Sequence, residues 1–222
     1  GDADRLGAVD EAGHIIWGDQ LMIIFARDLL PSHPGAAIIS EVKASHLLYD
    51  EIRRLGGQPI MWKTGHSLIK EKIRQEKALL AGEMSGHIFF ADRWFGFDDA
   101  IYASARLVEI ISRQMKKLSA YLADLPPVYN TPEIRIYTSD EVKFKVVDGV
   151  KEKLSQLSEI KQLIDIDGVR AVFDHGWGLV RASNTQPVIV LRFEADSQEE
   201  LNRIEQKIKS CLEEVLTGLN SK

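Results

Sequence analysis

A single cysteine, Cys211, stands in the 222-residue chain, so no internal disulfide can form. That fits a reducing, cytoplasmic compartment. Long apolar runs are missing as well. Stretches such as 21–26 and 187–191 fall far below the ~20 residues that cross a bilayer, which excludes a transmembrane helix and gives no reason to expect a membrane partner. Nor is there a basic block: 28 Lys and Arg against 33 Asp and Glu leave a net charge of −5, and the basic clusters are short pairs such as Lys116-Lys117. Such a chain is a poor match to a phosphodiester backbone, and nucleic acid is not expected as a partner. The opening Gly1-Asp2-Ala3-Asp4-Arg5 has no initiator Met and no signal-peptide pattern. It reads as a fragment that starts mid-domain.

With 45% hydrophobic and 27% charged residues the composition is that of a globular protein, not of a disordered, collagen-like or coiled-coil chain. Its length suits one large or two modest domains. Segments 6–9 and 14–17 flank a Glu-Ala-Gly turn and predict a short hairpin. Asp19 is placed to cap an apolar helix, 20–30, stopped by Pro31. Then follow a strand at 37–39, a helix at 44–55 halted by Gly56-Gly57, a strand at 59–62, a helix at 67–77, and strands at 79–82 and 87–90. Strands alternating with helices predict an α/β layered domain on a largely parallel sheet. Asp98 or Asp99 caps a helix that the spacing of Ile101, Ala105, Val108, Ile111 and Met115 carries to about Ala123.

Asp124-Leu125-Pro126-Pro127 and the following Tyr-Asn-Thr-Pro break the pattern, so the boundary is expected between domains 1–124 and 125–222. Beyond it, 133–137 alternates, 141–157 is helical, Asp167-Gly168 marks a tight hairpin, 187–193 is a strand and Ser197 caps a final amphipathic helix. This predicts a smaller α+β domain with an antiparallel sheet.

Three stretches carry chemistry. Asp2 and Asp4, one small residue apart, can aim two carboxylates at a hard cation such as Mg²⁺, or form an ordinary charged turn. In Gly82-Glu83-Met84-Ser85-Gly86-His87, an extended backbone puts Glu83, Ser85 and His87 on one face. These groups suit sugar hydroxyls and proton transfer, or else a solvated strand edge. In 176–187, Arg181 offers a planar fork and Ser183, Asn184 and Thr185 add neutral donors, which suits phosphate better than it suits a bland polar turn between strands. Lys43 and the Lys63-Thr64-Gly65-His66 segment follow strands, where α/β sheets bind ligands. The aromatics of 93–99 are expected in the core, as is Cys211 on an apolar helix face.

Taken in order, Gly-Asp-Ala-Asp-Arg, Glu-Val-Lys, Lys-Thr-Gly-His, Gly-Glu-Met-Ser-Gly-His, Arg-Trp-Phe-Gly-Phe-Asp-Asp and Gly-Trp-Gly-Leu-Val-Arg-Ala-Ser-Asn-Thr resemble the α-D-phosphohexomutase family over essentially the whole chain. The resemblance implies the third and fourth domains of a four-domain enzyme. That enzyme interconverts hexose 1-phosphate and hexose 6-phosphate through a phosphoserine and a bisphosphate intermediate, with glucose 1,6-bisphosphate as activator. It implies that Asp2 and Asp4 are two of three Mg²⁺ carboxylates and that Arg5 orients the substrate. Glu83 and Ser85 would hold sugar hydroxyls, and Lys43, His66 and His87 would line the cleft with His87 moving a proton. Arg181, Ser183, Asn184 and Thr185 would clamp the phosphate that is not reacting.

Two departures follow from the same comparison. The family's third Asp would precede Gly1, and Ala3 replaces the usual Gly, so weak Mg²⁺ binding is expected. The serine segment is absent, so the chain alone is expected to be inactive, with the missing amino-terminal domains as its partner. Met84 is similar to the mannose/glucose branch, where the glucosamine branch has Gln. A phosphoglucosamine mutase and a non-catalytic phosphosugar-binding module remain the alternatives.

Overall fold

The computed structural model describes residues 2–220. The chain divides into two compact units, Gly1–Leu125 and Pro126–Lys222.

In the first unit a two-stranded hairpin, β1 (Ala8–Val9) and β2 (Ile15–Ile16), leads into α1 (Gly18–Leu29). There follow β3 (Ala37–Glu41), α2 (His46–Arg54), β4 (Gln58–Trp62), α3 (His66–Glu76), β5 (Leu80–Gly82), β6 (Ile88–Phe90) and α4 (Ala100–Gln114). The sheet runs β4-β3-β5-β6, with β3 parallel to both β4 and β5 and with β6 antiparallel at the edge. Strand alternation sends side chains to two separate cores. Ile38, Leu80, Ile88 and Phe90 pack with α1, α2 and α4, while Ile39, Ala81 and Phe89 pack with Ile69 and Ile73 of α3. A sheet buried on both faces explains why its strands read as unbroken apolar runs.

Three expectations need correction in this unit. Asp19 does not cap α1. The helix begins two residues earlier than expected, with Gln20 Oε1 accepting the Trp17 amide (2.9 Å), and Asp19 is buried so that its Oδ2 accepts the Ser45 amide at the start of α2 (2.9 Å). Helix α4 stops at Gln114, not near Ala123, because Met115 takes a left-handed conformation (φ 53°) and a short 3-10 turn, Leu118–Tyr121, follows. The aromatics of 93–99 are not all core, since Phe95 is 79% and Phe97 39% exposed. A loop of so few residues cannot turn every ring inward.

In the second unit β7 (Tyr129–Asn130) and β8 (Ile134–Tyr137) precede α5 (Lys143–Ser155), β9 (Gln162–Ile164), β10 (Val169–Phe173), β11 (Gly176–Ala182), β12 (Val188–Ala195) and α6 (Gln198–Asn220). The antiparallel sheet is ordered β7-β12-β11-β10-β9, and β8 also pairs with β12. Val146, Val150 and Leu154 of α5 and Ile204, Ile208 and Leu212 of α6 pack on Val180, Leu191 and Phe193. Cys211 is buried among them, and that burial pushes its thiol above the ordinary value. Two more corrections arise here. Most of 176–187 is not a turn but the strand β11, and the Pro-rich connector contains β7, whose Tyr129 and Asn130 pair with Ala195 and Glu194.

Candidate functional site

Strands β3, β4 and β5 are parallel, so their carboxyl ends lie at one edge of the sheet. Because β6 is antiparallel, its beginning lies there too. This topology gathers Glu41 and Lys43 after β3, Thr64 to His66 after β4, Glu83 to Ser85 after β5, and His87 before β6. Ligands of open α/β sheets sit at such edges.

Glu41 is fully buried and connects three of these segments. Its Oε2 accepts the Lys43 amide (2.7 Å) and the Thr64 hydroxyl (3.0 Å), and its Oε1 accepts the Met84 amide (3.3 Å). Lys43, also buried, brings its ammonium to 3.9 Å from Glu41 Oε1. Glu83 accepts the Gly65 amide at Oε1 (2.7 Å) and the Ser85 hydroxyl at Oε2 (3.1 Å). The segment around Ser85 is a tight turn, not the extended backbone that would put Glu83, Ser85 and His87 on one face. The Gly86 amide donates to Glu83 O (3.0 Å), and Gly86 adopts a φ of 98° at which a Cβ would meet Leu6 O at 2.5 Å. Only glycine fits that position.

The two histidines stack, with ring centroids 5.8 Å apart at 23°. Asp98 faces both: its Oδ2 lies 3.0 Å from His87 Nδ1 and 3.9 Å from His66 Nδ1, and its Oδ1 accepts from Lys70 Nζ (3.1 Å). Burial raises the Asp98 pKa. The hydrogen bond from Lys70, that from its own backbone amide and the charges of Lys70 and His87 outweigh it, so the carboxyl ends below the usual range. Asp99 caps α4 by accepting the Tyr102 amide (2.9 Å), which leaves Asp98 to the histidines. Two adjacent aspartates where one cap suffices were the sequence signal.

The amino-terminal loop reaches this edge. Asp4 Oδ2 lies 3.7 Å from His87 Nδ1, and the Ala100 amide donates to Ala3 O (3.0 Å). Asp2 and Arg5 are exposed. The Asp2 carboxyl is held below its ordinary value, first by hydrogen bonding with Asp4 and with its own amide, which outweigh the opposing effect of burial, and to a lesser extent by the charges of Arg5 and His87. Asp4 Oδ1 has no hydrogen-bond partner among the described residues, and donor atoms of Asp4, His87 and Asp98 lie within 4.8 Å of one another. A carboxylate oxygen without a hydrogen bond, 3.7 Å from Arg5 Nε and near a second carboxylate, is donor chemistry that Mg²⁺ takes, so the residues present fit the ion. Ala3 holds a φ of 59°, a conformation costing an L-residue roughly 1–2 kcal/mol. Gly1, also part of that loop motif, lies outside the described residues.

The remaining predicted residues belong to the second unit. Arg181, the penultimate residue of β11, has its side chain buried, its Nε donating to Asp167 Oδ2 (3.0 Å), while its terminal nitrogens have no partner among the described residues. Asp167 comes from the β9–β10 turn, where Gly168 (φ 78°) passes so near that a Cβ would lie 2.6 Å from Arg181 Cα. Ser183 is buried and acts as an acceptor, its Oγ receiving the Gln186 (3.2 Å) and Thr185 (3.4 Å) amides. Asn184 and Thr185 are exposed at the tip. Glu41, Asp98, Lys70 and Asp167 were not singled out as site residues from the sequence, where Asp98 was read as a possible helix cap and Asp167 as part of a hairpin turn, because a charged group shows its partners only after folding.

Residues 17–129 match the family model for phosphoglucomutase/phosphomannomutase, alpha/beta/alpha domain III, and 141–210 match that for the phosphoglucomutase/phosphomannomutase C-terminal domain. The chain belongs to the phosphoglucomutase/phosphomannomutase family. It is 50% identical over 220 residues to a phosphomannomutase/phosphoglucomutase of Pseudomonas syringae, covering 99% of this chain and 47% of that protein. A crystal structure of a phosphoglucomutase/phosphomannomutase family protein from Burkholderia thailandensis superposes with a TM-score of 0.90 at 44% identity, over 98% of this chain and 46% of that one. The fold also matches an Aspergillus fumigatus N-acetylphosphoglucosamine mutase in complex with GlcNAc-6P and magnesium, with a TM-score of 0.70 at 15% identity over 97% of this chain and 48% of that one. The chain spans about half the length of the curated relatives it matches. No helix among the described residues is long and apolar enough to cross a membrane.

Proposed function

We propose that this chain is the sugar- and phosphate-binding part of a phosphohexomutase that interconverts the 1- and 6-phosphates of mannose and glucose. The carrying observation is the single sheet edge that gathers Glu83, Ser85, Lys43, His66 and His87 beside Asp2, Asp4 and Arg5. Glu83 and Ser85 are tied to each other, so a sugar hydroxyl that replaces their mutual hydrogen bond meets a preset acceptor and donor. Lys43, His66 and Arg5 contribute positive or proton-bearing groups around a phosphorylated ligand. His87 is the group to move a proton, with Asp98 beside its Nδ1 and Nε2 left for the ligand. Asp2 and Asp4 would hold Mg²⁺, which when bound supplies charge neutralisation at the phosphoryl oxygens. Arg181 with Ser183, Asn184 and Thr185 would bind the remote phosphate and so spend binding energy on positioning the reacting end. The remaining amino-terminal half of the enzyme would be its partner, glucose 1,6-bisphosphate its activator and the cytoplasm its compartment. The last fits the unpaired Cys211.

Removing the Arg181 fork is expected to weaken phosphate binding by roughly 1.5–3 kcal/mol, about tenfold to a hundredfold. Calorimetric titration of Arg181→Ala with mannose 6-phosphate or glucose 1-phosphate reads this directly, and an unchanged affinity would place the phosphate elsewhere. The metal loop gives a smaller and opposite effect. Because Ala3 sits at positive φ, Ala3→Gly relieves strain worth roughly 1 kcal/mol net of glycine's own entropy, and Mg²⁺ binding is expected to tighten a fewfold. A magnesium titration showing no gain would mean that the left-handed turn is not what limits the ion.

A further inference from the structure

We infer that Lys143 is a positioning residue for the 183–187 loop, fixing its exit so that the loop meets a phosphate dianion already formed. The inference rests on reading that loop as the phosphate site. The loop is closed from within at its base, where the Ser183 amide donates to Val188 O (2.9 Å) and Ser183 Oγ accepts the Thr185 and Gln186 amides. These bonds tie the entry to the exit, and the exit has outside support as well. That support comes from β8 and the start of α5. The Thr138 amide donates to Pro187 O (2.9 Å), Arg135 Nη1 donates to Gln186 Oε1 (3.3 Å), and Lys143 Nζ donates to Gln186 O (3.1 Å). Gln186 O also accepts the Val188 amide (2.8 Å), so the peptide joining Gln186 to Pro187 is held from both sides.

Of these supports Lys143 is the one that is costly to place. Its side chain is only 4% exposed, while its counter-ion Asp140, whose Oδ1 accepts at 2.6 Å, is 72% exposed. Burying an ammonium with one carboxylate, one carbonyl and the Phe144 ring 5.2 Å away is a net expense that a Leu or Met at the first position of α5 would avoid. The charge also sits at the first turn of a helix, where the backbone dipole disfavours a cation. What the arrangement provides is a rigid loop with positive charge directly against its backbone. The loop's tip, Asn184 and Thr185, is exposed and spans only between Ser183 and the pinned Gln186. A loop ordered beforehand loses less entropy when a phosphate binds, which appears as affinity.

The test uses the whole 222-residue chain, as wild type and as Lys143→Met, Lys143→Arg and Arg181→Ala. Amide hydrogen exchange is followed at Thr185, Gln186 and Val188, with Val180 and Leu191 as controls for the fold, and each protein is titrated with glucose 6-phosphate. Lys143→Met is expected to speed exchange at the loop amides and weaken binding about tenfold while leaving the control amides unchanged. Lys143→Arg, which keeps a donor and the charge, should recover most of both. Unchanged loop exchange and affinity in Lys143→Met would overturn the inference and make Lys143 a packing residue. An Arg181→Ala protein that binds as wild type does would overturn the phosphate reading, whereas loss in Arg181→Ala with none in Lys143→Met would overturn only the role of Lys143. Should Lys143→Met lose its fold, the wild-type protein still decides. An ammonium signal of Lys143 protected from solvent and scalar-coupled to the Gln186 carbonyl supports the role, and its absence refutes it.

Discussion

Alone, this chain is expected to convert no glucose 1-phosphate into glucose 6-phosphate in a coupled assay, even with Mg²⁺ and glucose 1,6-bisphosphate supplied. Joined to the first half of the Pseudomonas syringae relative, it is expected to turn over. Phosphoryl transfer by the proposed route needs a serine that donates and re-accepts the group, and groups that merely bind cannot supply that covalent step. Three serines at the site edge are committed elsewhere. Ser40 is fully buried with its hydroxyl donating to Gly82 O (2.7 Å), Ser45 accepts the Leu47 amide (3.2 Å) as the cap of α2, and Ser85 donates to Glu83. None presents a free nucleophile beside Asp4 and His87. The effect should span the whole rate enhancement, several orders of magnitude, because the missing element is a reaction step and not a contact. Turnover by the purified chain alone would refute the proposed division of labour. A joined chain that binds glucose 6-phosphate but never turns over would instead favour a phosphosugar-binding module.

How much of this was legible beforehand depends on the distance over which each feature is determined. The alternation of β3 to β6 with α2 and α3 is set by local apolar spacing and by stops such as Gly56-Gly57, and it could be read directly. Arg181 to Thr185 stood out as a dense run of donors. Their role changed on folding, since Ser183 accepts within its own loop and Arg181 lies on a strand against Asp167, fourteen residues away in sequence. The end of α4 was missed because Met115 continues the apolar spacing even though its backbone has already left the helix. Phe95 and Phe97 misled in the opposite sense, because composition says that rings prefer burial but not how many a seven-residue loop can bury. The partners of the site, Glu41 and Asp98 above all, were illegible for a different reason. A buried carboxylate is specified by donors from segments more than twenty residues apart, and no window of sequence contains them together.

Glu41 is therefore where the largest loss of stability is expected from a single change at the site. Glu41→Ala removes the acceptor for the Lys43 amide, the Thr64 hydroxyl and the Met84 amide at once, and it strips the buried Lys43 ammonium of a carboxylate 3.9 Å away. Each buried donor left unpaired costs roughly 1–3 kcal/mol, and breaking a buried ion pair costs about 3–5 kcal/mol. Some donors will find water after the loops relax, so a net loss of about 3–5 kcal/mol is expected for the first unit. Glu41→Gln keeps one oxygen as acceptor and should lose about half as much. Native-state hydrogen exchange at Ile38, Ile39 and Ser40 of β3 measures the effect, and the amides of β11 in the second unit serve as an internal control. Because the Met84 amide positions the turn that carries Glu83 and Ser85, the alanine variant should also lose its response to a hexose phosphate at residues 83–87 while retaining the phosphate response at 183–187. A Glu41→Ala protein with β3 protection within about 1 kcal/mol of wild type would show that water or the neighbouring side chains replace the carboxylate, and that the three loops hold their places without it.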